Sequence, residues 1–188
     1  MPEKVYHSSR KQNLETIKPT KSTHGKKYVY ATKNKSLSAA FLGKGGDLIC
    51  QIGTHVSESG EKTHHIFERF PKALEWAYKN IKGSIYTLPG EKFEEGKTTW
   101  KSEVVSTEKV IPLEEEKIDN ALGYLLELDK KGKIKIMRYP ERPDNFPRDN
   151  SDLVPKITKW VKKDGETTLK AVKKYHPHLL KKVEEKLE

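Results

Sequence analysis

Short runs of β-favouring or alternating apolar residues, set between polar and Gly- or Pro-rich breaks, predict strands. These runs are EKVYH (3–7), KKYVYAT (26–32), GDLICQIG (46–53), GSIYTL (83–88), WKSEVVS (100–106) and KGKIKIMRYP (131–140), the last with Ile134 and Ile136 on its apolar face. Apolar residues three or four apart predict helices instead. Ser36 caps one over LSAAFLGK that Gly43 or Gly45 stops, and Pro71 opens another in FPKALEWAYKNI. PLEEEKIDNALGYLLEL (112–128) reads as the clearest helix, with proline and acids at its start and Ile118, Leu122 and Leu125 in a stripe. NLETIKP reads as a turn or brief helix before Pro19, and THVSESGEKTHHIF as a polar loop or an excursion at a hairpin.

Four prolines between residues 140 and 155 break the pattern. They divide a body over 1–150 from a basic extension over 151–188, where KITKWVKK, ETTLKAVKKY and PHLLKKVEEKLE read as short amphipathic helices. Ile157, Trp160, Val161, Leu169 and Val172 need a covering surface there, because short helices are marginal alone. The extension is therefore expected to pack on the body with its lysines outward. The fold class expected is α+β, with a helical C-terminal tail.

A length of 188 residues allows one good core. Hydrophobic and charged residues each make up 34%, yet 16 aromatic side chains (3 Trp, 8 Tyr, 5 Phe) need somewhere to pack, which argues against disorder. A single cysteine, Cys50, rules out an intramolecular disulfide and suits a reducing compartment. The opening MPEKVYHSS lacks the apolar centre of a secretory leader, and no run is long enough to span a bilayer. A cytoplasmic protein without membrane association is expected. The formal charge of +10 favours anionic partners without choosing among them, and about half of that excess falls in the last 34 residues, with ten lysines against five acids.

No GxGxxG, P-loop or HExxH pattern is present. His55, His64 and His65 do not have zinc-ligand spacing with Cys50, so no metal site is expected, and surface-loop histidines are the better account. Cys50, in an apolar strand, reads as a buried inert thiol. Glu103, between Trp100 and the valines of WKSEVVS, has two readings. A lone strand acid usually faces solvent, whereas a carboxylate in a cleft can oppose positive charge developing on an anomeric carbon.

Three stretches together resemble the diphtheria-toxin-like and poly(ADP-ribose) polymerase-like ADP-ribosyltransferases of the His-Tyr-Glu type. They are VYHSS, YVYATKNKSLSAAF and WKSEVVS, with Phe41 eleven residues after Tyr30. The resemblance implies a split antiparallel β-sheet core with flanking helices, and NAD as co-substrate. It implies that His7 orients the dinucleotide, that the backbone at Ser8 meets the carboxamide, and that Tyr30 and Phe41 clamp nicotinamide. Glu103 and His7 would be the catalytic pair, Glu103 by stabilising the ribosyl cation. The acceptor would be a protein or a nucleic acid. Ser8 stands where the family has glycine, and Phe41 keeps a ring without its hydroxyl. The alternative is a non-enzymatic basic module for nucleic acid or protein on a decayed transferase scaffold.

Overall fold

The computed structural model describes residues 2–21, 26–56, 62–98 and 100–187. It is a mixed α+β fold with two sheets, flanking helices and a helical C-terminal region. The larger sheet contains β1 (Lys4–Ser9), β2 (Thr20–Lys21), β3 (Lys27–Thr32), β6 (Gly83–Pro89), β7 (Glu103–Ser106) and β8 (Glu114–Ile118), in the order β2-β3-β1-β6-β8 with β7 also on β3. The smaller sheet joins β4 (Cys50–Val56), β5 (Lys62–Glu68) and β9 (Lys135–Met137). Its β5–β9 pair is parallel, and the other named pairs are antiparallel.

The two faces of the larger sheet are covered differently. On one, Ile85 and Ile118 pack with α1 (Lys35–Ala39), α2 (Ala73–Tyr78) and α3 (Ala121–Lys130), and Ile66 of the smaller sheet closes the same core. On the other, Val5, Val29, Ala31, Tyr86 and Val104 are buried under Ile17, Phe93 and Val110. Alternation along β1 sends Val5 and Tyr6 to opposite sides, so both cores draw on one strand. No helix among the described residues is long and apolar enough to cross a membrane.

Several local expectations are corrected. The helix expected over 112–128 is a strand, β8, followed by α3, which Asn120 caps through Oδ1 to Gly123 N at 3.0 Å. The acids do not serve a helix start here. Glu115 accepts hydrogen bonds from Ser84 Oγ (2.6 Å), Asn13 N (2.8 Å) and Tyr86 OH (3.1 Å), and these tertiary bonds outweigh helix propensity. Asn34, rather than Ser36, caps α1, and α2 starts at Ala73 after Lys72 turns at φ 64°. NLETIKP is not helical, and Ile17 bridges Val110 through two backbone bonds of 2.8 and 2.9 Å. Of the two readings of 54–67 the hairpin one holds, since Thr54–Val56 and Lys62–Phe67 belong to the β4–β5 hairpin, while 57–61 lie outside the described residues. His65 is thus no surface-loop histidine: it is 4% exposed in β5.

The C-terminal region forms α4 (Val154–Asp164), α5 (Glu166–Tyr175) and α6 (Leu180–Glu184), with Gly165 at φ 53° between the first two. Leu153, Ile157, Val172, Leu179 and Val183 form its buried apolar centre, with Trp160 half-buried at the edge and Leu48 packed in from the body. Tyr175 stacks on Phe70 with ring centroids 5.3 Å apart, and His176 Nε2 meets Leu48 O at 2.6 Å. The fully buried Arg69 guanidinium donates to both oxygens of Asp152, each at 2.8 Å. Asn150 donates to Arg69 O at 3.0 Å and accepts from Arg142 Nη1 at 2.8 Å. Residues on both sides of the composition break therefore share one polar cluster.

Candidate functional site

The site begins with a failure of strand pairing. Beyond the Tyr6↔Thr32 pair, β1 and β3 share no further register pair, although β1 stays fully paired with β6. A cavity of about 110 Å³ opens at this divergence, and α1 and the 3-10 turn Ala40–Leu42 close its end. His7, Ser8, Tyr30, Phe41 and Glu103, all five of the residues singled out in the sequence, line it. The register explains part of this convergence. Tyr6 pairs with Thr32, and Thr32 with Glu103, so the start of β7 lies level with the last β1–β3 contact.

His7 partly restores the lost pairing. Its Nδ1 lies 2.7 Å from Tyr30 O, which as a carbonyl can only accept, so Nδ1 carries the proton and donates. Nε2 of the neutral ring is then an acceptor. Burial lowers the imidazole below its ordinary value, and the Tyr30 carbonyl offsets this only in part, so the ring is neutral near pH 7.

Ser8 sits in β1 opposite Ile85, and no positive φ occurs there. The backbone thus accommodates a side chain without strain. Tyr30 is half-buried with its ring edge-on to Tyr28 at 5.8 Å, and Phe41 is 43% exposed with its ring 5.5 Å from Trp100. Glu103 is half-buried at the head of β7, where its N–H donates to Trp100 O at 3.0 Å.

Ser38 belongs to the same site and was not picked out in the sequence. It is 1% exposed, lines the cavity, and its Oγ makes no hydrogen bond. Ser8 Oγ is buried and unbonded as well. A signal for Ser38 existed: it stands three residues before Phe41 in the helical run, and such spacing puts two side chains on one side of a helix. Two unbonded hydroxyls beside one small cavity are an arrangement that a ligand with amide donors and acceptors completes.

A larger groove of about 690 Å³ shares His7, Ser8 and Tyr30 with the cavity and continues past Arg10, Lys11 and Lys18. The cavity can take one flat ring, and the groove beside it has space and positive charge for the rest of an anionic molecule. Cys50 is buried away from this site, its thiol pushed up to about 12 by burial and then by Glu68. Among the described residues, no group of three or more His, Cys, Asp or Glu side chains is placed to hold a metal ion.

Comparison with protein-family models, curated proteins and solved structures found no match to this chain.

Proposed function

We propose that this protein is an NAD-dependent ADP-ribosyltransferase on a split antiparallel sheet. It cleaves the nicotinamide–ribose bond and passes ADP-ribose to a protein or nucleic-acid acceptor. The observation that carries this reading is the convergence of His7, Ser8, Tyr30, Phe41 and Glu103, from three separate stretches of sequence, on one ring-sized cavity. The unbonded hydroxyls of Ser8 and Ser38 support it, since a carboxamide offers both a donor and an acceptor.

In this reading Tyr30 and Phe41 hold the nicotinamide ring, and the neutral His7 accepts a hydrogen bond from a ribose hydroxyl at Nε2. The C1′–N bond breaks with its electron pair leaving on nicotinamide, and positive charge spreads over C1′ and the ring oxygen. The Glu103 carboxylate faces that charge. Help of this kind is greater in the transition state than in the ground state, so it lowers the barrier without tightening substrate binding equally. An acceptor oxygen or nitrogen then bonds to C1′ and gives up its proton to solvent water. Arg10, Lys11 and Lys18 lie where the diphosphate would be neutralised.

Calorimetric titration with NAD and a nicotinamide-release assay test the proposal together. Binding with release is expected, and no heat at millimolar NAD sinks it. Binding without release would leave a scaffold that has kept its pocket and lost its chemistry.

A further inference from the structure

We propose that a second hollow, over the smaller sheet, binds one nucleotide of a single-stranded nucleic acid, with a phosphate on Arg142 and the base against Trp100 and Phe146. This hollow of about 730 Å³ lies along β4, β5 and β9, with His65 and Gly53 in its floor. It runs into an adjoining hollow of about 370 Å³, sharing Lys135, Met137, Pro143 and Asp144 and lined further by Arg142 and Arg148.

Arg142 carries the argument. The residue is 7% exposed, and Nη1 is anchored by Pro147 O and Asn150 Oδ1, both at 2.8 Å. Nε and Nη2 are buried and make no hydrogen bond. Those two nitrogens form one edge of the planar fork, the edge that grips two oxygens of a phosphate through parallel N–H···O bonds. The guanidinium carbon lies 5.5 Å from the Phe67 ring centre, which offsets only part of the cost of a buried cation with an unbonded edge. A bidentate oxyanion removes the rest. Asp152 is already committed to Arg69. Glu141 and Asp144 also line the smaller hollow, but both are exposed and neither pairs with Arg142. Lys135 and Arg148 add charge at the surface.

The larger hollow suits a base. Trp100 and Phe146 supply faces for stacking, and the Asn145 amide lines the same space. His65 Nε2 is buried without a partner, and a Cβ at Gly53 would stand 2.5 Å from it, so glycine there keeps that ring in place. Burial foremost, then the charges of His55, His64 and Lys135, hold His65 below its ordinary value. It is neutral near pH 7 and adds no charge to the floor of the hollow. A base reaches such a hollow only when it is unstacked, which favours single strands. The chain's +10 charge steers a polyanion toward it.

Phe41 lines the first cavity, Trp100 lines the second, and their rings are 5.5 Å apart. A nucleotide held here would stand beside the nicotinamide pocket as an acceptor. That consequence rests on the transferase reading, whereas the binding does not.

The test is fluorescence anisotropy of labelled single-stranded octanucleotides, DNA and RNA, with the full chain and no NAD. The pair Lys135→Ala/Arg148→Ala is expected to weaken binding about tenfold and to flatten the salt dependence by about 0.7 per lost phosphate contact. Trp100→Ala should lose at least about fivefold on a base-bearing strand and nothing on an abasic one. Arg142→Lys, which keeps the charge but not the fork, should lose about tenfold, and the surface pair carries the test should that variant fold poorly. Several results would overturn the proposal: no binding at low salt, equal losses from Lys162→Ala/Lys163→Ala in the tail, or an abasic strand bound as tightly. Equal affinity for a phosphoserine peptide, or displacement of the strand by excess NAD, would do so too. Loss of NAD turnover alone leaves it standing, since binding is read separately.

Discussion

The two hollows are made in opposite ways. The first is a gap within a sheet, left where β1 and β3 part after one register pair and narrowed by side chains from α1 and β7. The second lies over a sheet and takes its charged wall from the segment after Pro140, held by Asn150 and the Arg69–Asp152 pair. A gap within a sheet keeps its shape through backbone pairing on either side. A hollow over a sheet depends on whatever polar contacts fix its outer wall. The first should therefore survive surface changes that remodel the second.

The largest expected effect separates them by stability. Asp152→Ala leaves Arg69 buried without its carboxylate, and breaking such a pair costs about 3–5 kcal/mol. Asp152 is 20% exposed, and Gln51 and Asn150 still reach the guanidinium, so about 3 kcal/mol is expected in urea unfolding. A loss below about 1 kcal/mol would mean that the outer wall does not depend on this pair.

Next comes a chemical contrast. Glu103→Gln keeps size and one oxygen but deletes the charge, and should lower NAD cleavage about 10²-fold or more while changing NAD affinity far less. Unchanged turnover would remove Glu103 from the site and leave Glu94, Glu95 or Glu108 to be examined.

Phe41→Ala is a smaller change. It should weaken NAD capture about tenfold by removing one ring face, while Phe41→Tyr stays close to the parent. Because Phe41 is 43% exposed, melting temperature should hardly move. A large drop in stability would make the ring a packing residue instead.

The smallest effect is spread over both hollows and the C-terminal region. His7, His65 and His176 are all held below the ordinary histidine value, in each case by burial first. Between their folded values and 6.5 the unfolded chain binds more protons, so stability rises with pH through that window. It is complete above 6.5 and lost as pH falls. Urea midpoints at pH 5.5 and 7.5 should show this, and His7→Gln or His65→Gln should each reduce the difference. A flat profile would contradict the burial of all three.

The residues of the first hollow were singled out in the sequence by a resemblance, and their closeness along the chain is what made it visible. β1, β3 and α1 lie within the first 42 residues, and the spacing of Tyr30 and Phe41 follows from one strand, one cap and one helical turn. Only Glu103 had to be joined from afar, and the resemblance rather than its strand pattern marked it, since a lone strand acid usually faces solvent. The second hollow left no comparable mark. Its β5–β9 pairing is parallel, with His65 against Lys135, and alternation within a strand does not encode which distant strand it meets. Arg142 sits among prolines that read as a linker, yet it is nearly as buried as the core. The acids of β8 misled in the same way, since the three partners of Glu115, on Asn13, Ser84 and Tyr86, are visible only after folding.

The Arg69–Asp152 pair also sets an order of events for a growing chain. The guanidinium lies in the turn after β5, and its carboxylate is 83 residues further on. While Asp152 is still unmade, a nascent chain carries a cation that its core cannot accept, because burying it alone would cost several kcal/mol. The smaller sheet, which also waits for β9, cannot close during early synthesis, and its apolar edge stays open to chaperones or proteases. Completion of the fold is thereby tied to synthesis of the C-terminal region, and a chain that stops short of Asp152 is left with an unneutralised core.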